Sequence, residues 1–114
     1  MNYHEIINEV VEILGGHEGC FVTAYQICQQ IEQAHPDLWQ RLTTAYPSID
    51  PNVAMGEGTG RYYSPASFVS HALKHHSTGN QDIVQEVLSC EGVSFSGVAP
   101  GYTGNITSIW ALRT

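Results

Sequence analysis

The chain has 114 residues, enough for one domain with its own core and too few for two of ordinary size. Hydrophobic residues make up 42%, which argues against wholesale disorder, while charged residues are only 13%, well below the usual quarter. The net charge of −7 works against nonspecific adhesion to phosphate backbones, and no apolar run approaches the roughly 20 residues needed to cross a bilayer. The first fourteen residues carry Glu5, Glu9 and Glu12, unlike a secretory leader, so the cytoplasm is the expected location. Three cysteines, Cys20, Cys28 and Cys90, make an odd set without a disulfide framework and read as buried free thiols.

Residues 3–14 repeat Tyr3, Ile6, Ile7, Val10, Val11 and Leu14 at helical spacing, with the three glutamates off that stripe. Gly15 and Gly16 supply an expected left-handed stop. After a short extended stretch at Phe21-Val22, Thr23 and Gln26 form a capping box for a helix over 24–34. Val22 and Ile27 fit the flanking hydrophobic staple, and Ala24, Ile27, Cys28, Ile31 and Ala34 make the helix stripe. Pro36 must end that helix near His35 and can open another over 36–45 that buries Leu38, Trp39 and Leu42. Residues 46–63 hold Pro47, Pro51 and a glycine run from Gly56 to Gly60, and read as a long loop.

Ser64-Pro65 is a cap followed by a first-turn proline, and opens a helix over 65–77. Phe68, Val69, Ala72, Leu73 and His76 share one side, and Ser67, Ser70, His71 and Lys74 the other. Asn80 looks like the cap of a further helix over 81–90, with Ile83, Val84, Val87 and Leu88 inward and Gly92 at its end. The period then changes to two. Strands are expected over 93–98 and 106–112, joined by a turn at 99–105 that contains Pro100, Gly101 and Gly104. In the second strand Ile106, Ser108, Trp110 and Leu112 share a face. The expected class is therefore α+β, mainly helical, with a C-terminal β-hairpin in a single domain.

This order of elements resembles a winged helix-turn-helix domain over most of the chain. The resemblance rests on element order and not on a diagnostic motif. It implies that the helix over 65–77 is the recognition helix and that 99–105 is the wing tip. The long connection over 46–63 and the helix over 81–90 both depart from that pattern. The recognition face would then comprise Arg61, Ser67, Ser70, His71, Lys74 and Arg113. Charge is unevenly spread: residues 58–81 carry Arg61 and Lys74 without an acid, and residues 92–114 carry only Arg113. Three cations are few for a protein that holds DNA by its phosphates. A protein partner or homo-oligomer is therefore the first expectation and nucleic acid the alternative. No membrane contact is expected.

Catalytic chemistry finds little support. His71 and His75 lie four apart on one helix face, but Ala72 stands where the zinc-protease motif needs Glu. A third ligand would have to come from His17, Cys20 or Cys90, and no C-x-x-C pair exists. The run Gly56–Arg61 lacks the Lys-Ser/Thr ending of a phosphate loop. Cys20 with His17, or Ser64 with His71, are the nearest nucleophile–base candidates, and their spacing favours neither. No catalytic residue, metal or cofactor is expected.

Overall fold

A computed structural model describes residues 1–47, 63–89, 91–92 and 106–113. The chain runs through a 3-10 turn (Tyr3–Glu5), helix α1 (Ile7–Gly15), strand β1 (Val22–Thr23), helices α2 (Ala24–Ala34), α3 (Pro36–Ala45) and α4 (Pro65–Ser77), and strands β2 (Ile83–Ser89) and β3 (Ile106–Leu112). The three strands among the described residues form one antiparallel sheet in the order β1-β3-β2. This is an α+β fold in which the C-terminal strand is the middle of the three described strands.

Local chemistry explains most of these boundaries. Thr23 Oγ1 accepts the Gln26 N–H at 3.1 Å and the Thr23 N–H donates to Gln26 Oε1 at 2.8 Å, so both halves of the expected capping box are made. The flanking Val22 and Ile27 are both buried. Pro36 stands at the first position of α3, where its missing N–H costs no helical bond. Ser64 Oγ accepts the Ser67 N–H at 3.0 Å and starts α4, again with proline next in line. The N-terminal segment departs from the single helix expected over 3–14. Asn2 and Glu5 close a capping box of their own around the 3-10 turn, and α1 begins only at Ile7. Gly15 and Gly16 do not form the left-handed stop either. Gly16 has φ −74°, and the left-handed residue of this connection is Gly19, at φ 80°.

The largest departure is over 81–90. The expected helix is strand β2, paired along its whole length with β3 from Ile83↔Leu112 to Ser89↔Ile106. Asn80 Oδ1 accepts the Asp82 N–H at 3.0 Å, so this residue closes a turn before the strand and caps no helix. Of the apolar side chains expected inward there, Ile83 is buried, Val84 and Leu88 are half-buried, and Val87 is 62% exposed. The strand expected over 93–98, the turn over 99–105, most of the loop over 46–63 and Cys90 lie outside the described residues.

The core lies between the helices and one face of the sheet. Ile6, Val10, Leu14, Ile27, Ile31, Leu42, Val69, Leu73 and Trp110 are each no more than 1% exposed. Each side chain of this kind contributes roughly 1.5–3 kcal/mol when removed from water. Trp110, in the middle strand, sits under this helical layer, although its Nε1–H finds no acceptor among the described residues. Trp39 is only half-buried, and Ala34 is exposed. Of the expected buried thiols, Cys28 is buried and Cys20 is exposed.

Candidate binding surface

The flank of α4 is split by its own N-terminus. Ser67 belongs to the capped first turn and is 9% exposed, so it faces the protein and not a partner. Ser70 is half-buried one turn on, and of the four flank residues only His71 and Lys74 are exposed. The His71 ring stacks on Tyr63, with centroids 5.5 Å apart and planes 7° from parallel. Lys74 Nζ donates to Gln85 Oε1 on β2 at 3.1 Å, and Gln85 Nε2 donates to Ser108 Oγ on β3 at 2.8 Å. This relay links the exposed side of the helix to both strands. Arg113 is exposed just past β3, where its backbone N–H donates to Asp82 O at 2.6 Å. Arg61 lies outside the described residues. The described part of the expected face thus offers two cations, Lys74 and Arg113, with Asp82 bonded backbone to backbone beside Arg113.

Histidines gather at the other end of α4. His4, on the 3-10 turn, lies 5.2 Å from His76 and 6.2 Å from His75 between ring centroids, and His75 and His76 are 5.1 Å apart. Sequence spacing could not show this grouping, because His4 is more than seventy residues from its neighbours. His76 is half-buried, with Nε2 3.4 Å from Tyr3 O, so its place on the apolar stripe is at the rim of the core. His71 and His75, four apart on α4, do not meet: His71 turns to Tyr63 and His75 to Tyr3 and the other two rings. Among the described residues, no three His, Cys, Asp or Glu side chains are arranged to hold a metal ion.

The nucleophile candidates do not assemble. Ser64 is fully buried and committed to capping α4. Cys20 and His17 meet only through the backbone, Cys20 N–H to His17 O at 2.9 Å. Burial pushes the Cys28 thiol up to about 12, far from a reactive thiolate. Two open grooves flank Met1. One of about 560 Å³ runs past Glu5, Asp37 and Arg41, and one of about 330 Å³ is lined by Tyr3, Tyr46, Tyr63 and Phe68. In the first, Arg41 and Glu5 pair at 2.6 Å, and the Asn2 N–H, then Arg41, hold the Glu5 carboxyl below its ordinary range. In the second, burial first and then Tyr3 and Glu5 push the Tyr46 phenol up. The four rings of that groove pack on one another, with Tyr46 stacked on Phe68 at 4.6 Å.

The surface that sequence reasoning missed is the β2–β3 ribbon. Residues of one parity share a face: Ile83, Gln85, Val87 and Ser89 on β2 oppose Leu112, Trp110, Ser108 and Ile106 on β3. Near α4 this face is buried, as Ile83 and Trp110 show. Farther along, Val87 is 62% and Ile106 53% exposed. With Phe21, they are the large apolar side chains the described structure leaves in water. A helix assigned to 81–90 concealed this ribbon, since it turned Val87 inward. No helix among the described residues is long and apolar enough to cross a membrane. In comparison with known proteins, no family model matches the chain, and no curated protein or solved structure matches it either.

Proposed function

We propose that this chain is a non-catalytic binding module of winged-helix-like plan that works through protein contact, self-association included. The order helix, strand, helices, strand, strand and the sheet order β1-β3-β2 support the winged-helix-like part. The contact itself rests on one observation. The face of the ribbon that buries Ile83 and Trp110 continues outward as exposed Val87 and Ile106. Exposed apolar side chains grouped beyond the edge of a core mark interaction sites more often than scattered ones do.

A nucleic-acid reading draws on His71 and Lys74, which do face solvent. Two described cations on that side are too few for the phosphate contacts that carry such binding. Photo-crosslinking separates the two readings. With a crosslinking residue in place of Ile106 or of His71, in separate variants, we expect protein adducts from the first and no nucleic-acid adducts from the second. Nucleic-acid adducts at position 71, joined by low-salt retention of duplex DNA that Lys74→Ala abolishes, would overturn the proposal.

A further inference from the structure

The partner chemistry can be narrowed by following the hydrogen bonds of β2, on the reading that the ribbon is the binding surface. Arg113 N–H donates to Asp82 O, and these two residues continue the register Ile83↔Leu112. They are therefore a hydrogen-bonded pair of the antiparallel ladder, and such pairs recur at every second residue. Val84, Glu86 and Leu88 are thus the β2 residues that bond β3. Ile83, Gln85, Val87 and Ser89 direct their N–H and C=O groups to the opposite side. Among the described residues β2 is an outer strand, so that side is a sheet edge there. Ile83 N–H already donates to Asn80 O at 3.2 Å. The outward main-chain groups of Gln85, Val87 and Ser89 have no partner among the described residues.

The geometry points to a second copy of this chain as the strand that completes this edge, by antiparallel β2–β2 pairing about a two-fold axis at Val87. An edge of alternating donors and acceptors complements an identical edge run in reverse. Three two-fold registers set both Gln85 and Val87 opposite outward β2 residues of the second copy. Centred on Glu86, the pairing sets two carboxylates directly opposite and calls on the Ile83 N–H that Asn80 already holds. Centred on Gln85, it calls on the same N–H and brings the two Lys74–Gln85 pairs together at the axis. Centred on Val87, it uses only Gln85, Val87 and Ser89, sets Gln85 opposite Ser89 of the second copy, and sets Glu86 opposite Leu88. The exposed Val87 side chains then meet across the axis, with Cα atoms about 5.5 Å apart.

Charge opposes a like partner only weakly here although the whole chain is acidic. Within 63–89, 91–92 and 106–113, Lys74 and Arg113 offset two of the three acids Asp82, Glu86 and Glu91, for a net charge of −1. Residues 1–47 hold six acids against Arg41. The repulsion between copies thus comes mainly from the helical part that precedes the ribbon. The edge also lacks the lysine or proline that commonly blocks an outer strand.

The test is sedimentation of the full chain across roughly 10 to 500 μM, where an interface of modest size associates. Wild type is expected to shift from monomer toward dimer. Val87→Lys and Val87→Glu are each expected to remain monomeric with unchanged circular dichroism, and an equimolar mixture of the two to recover the dimer. That recovery separates loss of the interface from loss of the fold. A Val87→Lys variant as dimeric as wild type would overturn the proposal. So would a wild-type chain that stays monomeric throughout, and if Ile106 then still crosslinks to a different protein, the binding reading survives without the dimer.

Discussion

Replacing Thr23 tests how α2 is started and how that start holds β1 in the sheet. Its hydroxyl accepts the Gln26 N–H at 3.1 Å, and the residue is 2% exposed, so water cannot readily replace the lost acceptor. Removing an N-cap side chain costs about 0.5–2 kcal/mol, and burial places this one at the upper end, about 2 kcal/mol. Thr23→Val removes the hydroxyl and keeps the volume, so it should lose about 2 kcal/mol. Thr23→Ser keeps the cap and removes one methyl group, for about 1 kcal/mol. Thr23→Ala loses both, for about 3 kcal/mol. Urea titration followed by far-UV circular dichroism reads all three. Should Thr23→Val prove as stable as wild type, or Thr23→Ser as damaging as Thr23→Ala, the capping box does not hold α2 in the way described.

The Cys28 thiol, pushed up to about 12 by burial, ionises near 9 once the chain unfolds. Its share of stability is whole below pH 9 and falls by about 1.4 kcal/mol per pH unit as the pH rises toward 12. A Cys28→Ala variant should therefore show a shallower alkaline loss in denaturation curves. Trp110→Phe discards an Nε1–H that has no acceptor among the described residues, which offsets the area lost. We expect it to stay within about 1 kcal/mol of wild type, and Trp110→Ala to lose about 3–5 kcal/mol, by the same urea assay. Arg41→Ala breaks an ion pair whose partners are 53% and 38% exposed, and should leave the melting temperature unchanged by calorimetry.

Where the helix signals are stereochemical, they can be read directly. The Thr23–Gln26 box, Pro36 and Ser64-Pro65 each satisfy or remove backbone donors within a few residues, so α2, α3 and α4 begin where those residues stand. The β2 segment was not legible in this way. Ile83, Val84, Val87 and Leu88 fit one face of a helix and also suit a strand, being largely β-branched. What decides between them is β3, whose register joins residues as far apart as Ile83 and Leu112. The same distance in sequence hid the gathering of His4 with His75 and His76. On α4, helical periodicity placed Ser67 with His71 and Lys74, but its N–H is held by the Ser64 cap, and that first turn packs inward. The candidate face in the described residues therefore shrinks to its C-terminal half, and the exposed ribbon came to light only with the strand pairing.

Amide spectra recorded along a dilution series, and again with duplex DNA added at low salt, distinguish a contact surface on the ribbon from one on α4. We expect dilution to move the resonances of Gln85, Val87 and Ser89, and DNA to move none. Shifts at His71 and Lys74 on adding DNA, with the β2 amides indifferent to dilution, would contradict that.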